Sequence, residues 1–249
     1  MLKEERWQAI LKILSEKQYI STEELSQQLY VSLPTIRRDL SELASKNLIA
    51  RSHGGAIGIT EETREIPVDF RNGINMRQKS KIARKASELA KDGDVIFIDS
   101  STTTLHIADF IKNLAGITVV TNSIQSAVLL RKNNIRTFMT GGIVIDNSLA
   151  LGGSWAEEYI KKFNINIMFF SSYGISDSGF ITDYSEYETN LRRAALSQSN
   201  KKVFLCDNTK FGKASTFNVC HINEVDIVVS DDKFPDNIKL QYNGCFITV

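Results

Sequence analysis

The sequence predicts an α/β protein with a small helical N-terminal domain that ends in a hairpin wing and a larger C-terminal domain built on a parallel sheet. Two observations predict this class. The first 57 residues hold closely spaced amphipathic helices and a glycine-containing hairpin, and most of the remaining chain alternates short apolar runs with helical segments. With 249 residues, the chain has room for a domain of about 60 residues and a larger one.

The composition is that of an ordinary globular protein, with 42% hydrophobic residues, 24% charged residues and a formal net charge of +1. This balance predicts no large basic field, so any contact with nucleic acid requires a local patch. The charged start of the chain, and the lack of an apolar run near the ~20 residues that span a bilayer, predict a cytoplasmic protein without membrane contact. Cys206, Cys220 and Cys245 are widely spaced and are predicted to be reduced thiols.

Three helices are predicted within the first 46 residues. The first covers residues 3–16, where apolar side chains recur at helical spacing: Trp7, Ile10, Leu11 and Leu14. Ser21 followed by Glu24 predicts a capping box at the start of the second helix. Ser32 is the predicted cap of the third helix, with Pro34 in its first turn, where a missing N–H group costs nothing.

The third helix is predicted to present a DNA-reading face. Ile36, Leu40 and Leu43 form its buried stripe. At 100° per residue, Arg38 points about 190° away from the middle of that stripe, toward solvent. Arginine can bond guanine O6 and N7 together, and hydroxyl groups can hold phosphates, so this face suits a DNA major groove.

A basic hairpin follows the third helix, with a strand over residues 48–52, a turn over 53–55 and a return over 56–57. A helix beside such a wing predicts a double-stranded DNA operator as partner. One recognition helix offers a small footprint, so we expect a homodimer or homotetramer. The alternative is a protein-binding helical adaptor whose arginines are only solvated. The predicted DNA-binding residues are Ser32, Thr35, Arg37, Arg38, Ser41, Arg51, His53 and Gly54.

Helical periodicity is lost between residues 58 and 75, which predicts a linker between a domain at 1–57 and a domain at 76–249. A helix over 76–91 is predicted to open the second domain. Helical segments at 103–113, 123–132, 154–162 and 186–199 then separate most of the apolar runs, which predicts a Rossmann-like parallel sheet covered on both faces. The predicted strands cover 95–98, 118–120, 137–139, 167–170, 203–205 and 227–229.

Polar residues and glycines follow most of these strands. Ligands of such sheets bind beyond the carboxyl ends of the strands, and hydroxyls and helix-start N–H groups favour anions. The sequence therefore predicts a small phosphorylated sugar or polyol as effector, with positive charge from Lys210. The alternative for any single loop is an ordinary helix cap or turn. The predicted effector-binding residues are Asp99, Ser100, Ser101, Thr102, Thr103, Thr121, Asn122, Ser123, Gly141, Gly152, Gly174, Glu188, Asp207 and Lys210.

The N-terminal motifs also carry a family resemblance. Val31-Ser32, the run from Thr35 to Leu40, and Arg51-x-His53-Gly54-Gly55-Ala56 resemble the winged helix-turn-helix of the DeoR/GlpR family of bacterial transcription regulators. The resemblance implies a helix-turn-helix over about residues 20–39 and a repressor of a carbohydrate-utilisation operon. Asp39 is expected to be structural, because a carboxylate beside phosphates would repel them, and to orient Arg37, Arg38 or an N–H group of the wing.

The C-terminal domain is similar to the sensor domain of the same family, which belongs with ribose-5-phosphate isomerase-like and CoA-transferase-like folds. The run from Asp99 to Thr103 stands where that domain usually has Asp-x-Gly-Ser-Thr, so Ser101 replaces a glycine. Ser171-Ser172-Tyr173 also stands where Gly and Ala are common. By the same resemblance, further matching positions are Thr121-Asn122-Ser123, Gly141-Gly142, 174–179, Glu188, Arg193, Asp207 and 210–212.

Taken together, the sequence predicts a DNA-binding regulator that is not an enzyme and has no cofactor and no metal. The alternative is a sugar-phosphate isomerase-like enzyme with an accessory N-terminal helical module. Its acids and bases would come from Asp99, Asp183, Glu186, Glu188, Asp207 and Lys210, which show no recognised catalytic spacing. No HExxH or paired-cysteine motif suggests a metal.

Overall fold

The computed structural model describes residues 1–17, 19–46, 48–52, 54–58, 68–145 and 148–249. The chain divides into two compact units, Met1–Ile74 and Asn75–Val249. Predicted site residue His53 and positions 59–67 of the predicted linker lie outside the described residues. In the part of the chain that is described, no helix is both long enough and apolar enough to cross a membrane.

The described part of the N-terminal unit contains the three predicted helices, a fourth short helix, and a small antiparallel sheet that includes the predicted hairpin. Its helices are α1 (Lys3–Lys17), α2 (Thr22–Leu29), α3 (Leu33–Ser45) and α4 (Val68–Gly73). Its strands are β1 (Tyr19–Ser21), β2 (Ile49–Ser52) and β3 (Gly55–Gly58), in the order β1-β3-β2. The short helix α4 lies inside the segment predicted to be a linker, and β1 was not predicted.

The structure contains the predicted side-chain cap at α2 but not at α3. At α2 the capping box is present: the Ser21 hydroxyl accepts from the Glu24 N–H at 3.1 Å, and the Glu24 carboxylate accepts from the Ser21 N–H at 3.1 Å. Ser32 occupies the N-cap position of α3 but makes no side-chain cap bond. Its hydroxyl instead lies 2.9 Å from the Thr35 hydroxyl, so both groups sit together at the start of the helix.

The wing is held against the rest of the unit by a close backbone contact. β3 pairs with both β1 and β2. A Cβ atom at Gly55 would lie 2.4 Å from the Ile20 carbonyl oxygen, so only glycine fits this approach. Gly54, with a φ of 80°, forms the turn, and its carbonyl accepts from the N–H group of Thr22 at 2.8 Å.

The C-terminal unit is built on a seven-stranded sheet. Its strands are β4 (Val95–Ile98), β5 (Thr118–Thr121), β6 (Arg136–Met139), β9 (Ile165–Phe170), β12 (Ser199–Cys206), β14 (Ile227–Ser230) and β15 (Cys245–Thr248). They lie in the order β15-β14-β12-β9-β4-β5-β6, with every pairing parallel. All six predicted strands are in this sheet, and β15 is the one not predicted. The chain moves outward from β4 to β6 and then returns to the other side of β4, so β4 and β9 flank a topological switch point.

Helices and two small sheets complete this unit. The helices are α5 (Met76–Ser87), α6 (Ile107–Phe110), α7 (Ile124–Lys132), α8 (Ser154–Ile160), α9 (Glu186–Gln198) and α10 (Asp236–Lys239). The predicted helix over 103–113 is instead a 3₁₀ turn at Thr104–His106 followed by the short α6. The remaining strands form the hairpin β7 (Ile143–Ile145) and β8 (Ala150–Gly152) and the sheet β10 (Gly174–Ile175), β11 (Phe180–Asp183) and β13 (Phe217–His221).

Alternating side chains of the central strands fill two separate cores. Phe97 on β4 and Phe204 on β12 belong to one core, whereas their neighbours Ile96 and Val203 belong to the other. A strand that is buried on both faces reads as a continuous apolar run, which is why these strands could be predicted. The sheet is therefore covered on both faces, and its carboxyl edge is left for the polar loops.

Candidate functional site

The outward face of α3 presents the predicted DNA-binding side chains. Ile36, Leu40 and Leu43 are buried, and Arg37 and Arg38 are exposed. Of the other predicted residues, Thr35 is half-buried, and those that are exposed are Ser32, Ser41, Arg51 and Gly54. Two guanidinium groups thus project from a helix whose opposite face is fixed in a core, which is the arrangement that base recognition needs.

Asp39 is structural, as expected, but its partners are not those expected. Its carboxylate accepts from the Arg6 Nη2 at 3.0 Å and from the Trp7 indole N–H at 2.9 Å, both on α1. The contact raises the pKa of Arg6, chiefly through the hydrogen bond to Asp39. The expectation that Asp39 orients Arg37, Arg38 or the wing was therefore wrong. Asp39 instead ties α3 to α1 and sets the direction in which the recognition face points.

A second cluster lies in the C-terminal unit at the switch point of the sheet. Asp99 follows β4 and is buried, and both of its carboxylate oxygens accept from protein donors. Oδ1 accepts from the Ser101 N–H at 3.1 Å and the Thr104 hydroxyl at 2.7 Å. Oδ2 accepts from the Ser171 N–H, after β9, at 3.2 Å. Asp99 therefore positions the two loops that face the switch point.

Arg192, on α9, is the centre of this cluster. Its side chain is 4% exposed, and it donates to Asp99 at 2.8 Å, Asp183 at 2.9 Å and Glu188 at 3.4 Å. Burial would lower the pKa of Arg192, but the charges of the three carboxylates outweigh that effect and raise the pKa above its ordinary value. The Ser100 hydroxyl, in turn, donates to Glu188, so one guanidinium joins α9 to the loop after β4.

Lys210 and Asp207 extend the polar edge of the sheet. The Lys210 ammonium donates to the Ser171 hydroxyl at 2.9 Å and to the Ser172 carbonyl. Burial would raise the pKa of Asp207, but the charge of Lys210 and the hydrogen bonds from Thr209 lower it below its ordinary value. The cation that the sequence predicted for anion binding thus lies against the loop after β9.

Several buried oxygens of this edge have no hydrogen-bond partner within the described residues. The Asn122 side-chain N–H group donates to the Leu151 carbonyl at 3.2 Å, but its Oδ1 is unpaired. The same holds for the Thr103 hydroxyl in the loop after β4. Because buried polar atoms are normally paired, such atoms indicate a place for a hydroxyl-bearing ligand or for water.

Other predicted effector-binding residues make local contacts. The Ser123 hydroxyl caps α7 by accepting from the Ser126 N–H at 3.1 Å, and the Thr121 hydroxyl accepts from the Ser123 N–H at 3.0 Å. Gly141 is exposed at the start of the connection from β6 to β7. Gly152 and Gly174 are buried, and a Cβ atom at Gly174 would lie 2.8 Å from the Lys210 carbonyl oxygen. The structure thus gives these residues shaping roles around the edge.

Arg192 was not predicted to be a site residue, whereas its neighbour Arg193 was predicted from the family resemblance. Arg193 donates to the Val219 carbonyl at 3.1 Å and to the Asn218 carbonyl, both on β13, and to none of the three carboxylates that Arg192 binds. A signal was available, because Glu188 and Arg192 are four residues apart on a predicted helix, the spacing of an ion pair. Asp183 was noted as a possible acid, but its partner was not identified.

Comparison with known proteins finds two family models. Residues 6–62 match the DeoR-like helix-turn-helix domain, and residues 74–232 match the DeoR C terminal sensor domain. The chain is 34% identical to the HTH-type transcriptional regulator GolR of Listeria innocua, over 92% of this chain and 91% of that one. It is 33% identical to the L-fucose operon activator of Haemophilus influenzae, with 94% of each chain covered.

The chain is also 31% identical to the glycerol-3-phosphate regulon repressor of Escherichia coli, over 96% of this chain and 94% of that one. Among solved structures, it is similar to ribose 5-phosphate isomerase from Plasmodium falciparum, with 16% identity and a TM-score of 0.40 over 53% of this chain and 52% of that one. The assignment of the chain to a family rests on the sequence relatives, which cover nearly the whole chain.

Proposed function

This chain belongs to the DeoR/GlpR family of DNA-binding transcriptional regulators, and we propose that it represses a carbohydrate-utilisation operon under the control of a phosphorylated sugar or polyol. The relatives named above include a repressor and an activator, so repression, as opposed to activation, is itself part of the proposal. We expect such a regulator to act in the cytoplasm.

The observation that supports DNA reading is the orientation of α3. Arg38 is exposed opposite the buried apolar stripe of the helix and Arg37 is exposed at the flank of that stripe, while Asp39 is bound to α1. Asp39 is thereby removed from the surface that would meet phosphates, and the other acid of the helix, Glu42, pairs with Lys3. We propose that the arginines contact base edges and that Ser32, Thr35, Ser41, Arg51, His53 and Gly54 contact the DNA backbone.

The observation that supports effector binding is the set of unpaired buried oxygens at the switch point. Asn122 Oδ1 accepts hydrogen bonds only, and the hydroxyl of Thr103 can donate or accept, so together they suit the hydroxyls of a polyol. Lys210 and the N–H groups of the loop after β4 would bind the phosphate. Asp99, Asp183 and Glu188 are engaged by Arg192, which leaves them poorly suited to the acid–base work of an isomerase.

The DNA part of the proposal is tested by binding of the full-length chain to the DNA fragment upstream of its own gene. Arg37→Ala and Arg38→Ala should each weaken binding by about 1–3 kcal/mol if the residue contacts a base, and should reduce the preference for this fragment over random DNA. Arg131→Ala, an exposed arginine on α7, is the matched control. Unchanged binding of the double variant would remove the assignment of α3 as recognition helix.

The effector part is tested by a thermal-shift screen of phosphorylated and unphosphorylated sugars and polyols. A ligand that binds only the folded state stabilises it, by about 2.7 kcal/mol when the ligand concentration is a hundred times the Kd, and therefore raises the melting temperature. Asn122→Ala should abolish the shift. If no compound stabilises the chain, or if the shift persists in that variant, the effector site is misplaced. Sedimentation with and without DNA tests the homodimer or homotetramer, which a monomer in both states would contradict.

A further inference from the structure

Helix α5 carries a set of basic residues that lies outside the recognition helix and outside the predicted effector-binding residues. Five of its twelve residues are cationic and none is acidic: Arg77, Lys79, Lys81, Arg84 and Lys85. The whole chain has a formal net charge of only +1, so this local excess is not a general property of the surface. A local patch of this kind is what an electrostatic contact requires.

The basic side chains of α5 lie on different faces of the helix. Ile82, Ala83 and Ala86 are buried against the sheet, and Lys79 is buried with them, where its charge lowers the pKa of Asp207. Arg77, Lys81 and Arg84 are all exposed. At 100° per residue these three lie within an arc of about 60°, which makes them one stripe on the solvent side of the helix.

Among the described residues, the ion pairs near this stripe involve other cations. The acid that pairs on this helix surface is Glu88, and it binds Lys85 at 2.6 Å. In the described part of the chain, no acid pairs with Arg77, Lys81 or Arg84 within 4.0 Å. Three cations are thus held on a rigid helix with their charge directed to solvent.

We propose that this stripe is a second DNA contact, in which Arg77, Lys81 and Arg84 bind the phosphate backbone of the duplex without reading its sequence. The three residues span about 10 Å along the helix axis, at 1.5 Å per residue. One DNA strand presents a phosphate about every 3.4 Å of duplex axis, so a stripe of this length can meet about three phosphates. The inference rests on DNA binding by this family and is separate from base reading by Arg37 and Arg38.

The occupant follows from charge complementarity. The regulator must bind a polyanion through its N-terminal unit, and the stripe begins at the third residue of the second unit, which starts at Asn75. DNA is the polyanion that the function of this family brings to the chain, so we assign a DNA phosphate backbone as the occupant of the stripe.

The test compares three full-length variants on two DNA probes, the fragment upstream of the gene and a random-sequence duplex of equal length. The stripe variant is Arg77→Gln with Lys81→Gln and Arg84→Gln, since glutamine preserves helix propensity. The charge control, Lys112→Gln with Lys132→Gln and Lys239→Gln, removes three exposed cations elsewhere in the same unit. The rescue variant, Arg77→Lys with Lys81→Arg and Arg84→Lys, keeps the charges.

The logarithm of the association constant for DNA falls linearly with the logarithm of the salt concentration. We expect this slope to be shallower by about 2 to 3 in the stripe variant on both probes, because each phosphate that is no longer neutralised removes about 0.9. Its deficit in affinity relative to wild type should then shrink about 40-fold between about 50 and about 200 mM salt. The charge control and the rescue variant should keep the wild-type slope. The preference for the upstream fragment over random DNA should be unchanged, whereas the Arg37 and Arg38 variants should reduce that preference.

A stripe variant with the same slope as the charge control would overturn the inference while leaving the recognition helix intact. So would a stripe variant that keeps its DNA slope and loses affinity for single-stranded RNA of the same length, which would make the stripe an RNA surface. A wild-type chain that binds neither DNA probe would overturn this inference and the proposed function together.

Discussion

Replacing Arg192 by glutamine should destabilise the C-terminal unit more than replacing any neighbouring arginine. The side chain is 4% exposed and pairs with three carboxylates, so its loss leaves buried negative charges without a cation. Removing one partner of a buried pair costs about 3–5 kcal/mol. In a unit of this size each kcal/mol shifts the melting midpoint by about 2–4 °C, so we expect a fall of about 6–20 °C.

Arg193→Gln is the matched control, because it removes the same charge from the next position of the same helix. Its side chain bonds two carbonyls of β13 near the surface, which predicts a loss below about 2 kcal/mol. Scanning calorimetry and urea unfolding followed by circular dichroism measure both variants. Equal losses in the two variants would refute the reasoning.

Three further predictions concern single contacts. Ser21→Ala removes the capping hydroxyl of α2 and should cost the N-terminal unit about 1 kcal/mol in urea unfolding, whereas the exposed Ser15→Ala should cost less. Gly55→Ala places a methyl group 2.4 Å from a backbone oxygen, so it should cost about 1–3 kcal/mol and weaken DNA binding through the wing; an undisturbed melting midpoint would argue against that close contact. Because the pKa of Asp207 is lowered in the folded state, its contribution is complete above the unfolded pKa and is lost as pH falls through the folded pKa. The unfolding free energy of wild type should therefore fall more steeply in acid than that of Asp207→Asn, and parallel pH curves would contradict this.

The parts of the fold that follow from local pattern could be predicted. The runs around Phe97, Phe169 and Phe204 are apolar at every position, because both faces of the sheet are covered, and such runs are visible without a partner. The stripe of α3 and the capping box of α2 are equally local. The short strands β10, β11 and β13 were missed, because runs of two to five residues show little period of their own and because β13 pairs with a strand about 40 residues earlier in the chain.

The candidate site was harder to predict, because side-chain partners depend on packing. The position of Asp99 after a strand could be predicted, but its bonds to two loops and to Arg192 could not. Asp39 was expected to contact its neighbours in sequence, but it bonds residues on α1. Periodicity indicates which face a residue occupies, but it does not indicate which element packs against that face. The contacts of all the predicted effector residues with a ligand, Asp99 included, remain predictions.

The central claim is that one chain couples a polyol-binding sheet edge to a DNA-reading helix. It is tested most directly by measuring the affinity of the full-length chain for its upstream DNA fragment with and without the compound that gives the largest thermal shift. We expect that compound to change the affinity of the wild type by about 5- to 150-fold, the usual range of allosteric coupling. Asn122→Ala should bind the DNA as wild type does and should not respond. A wild-type affinity that is the same at every concentration of a bound effector would contradict the account.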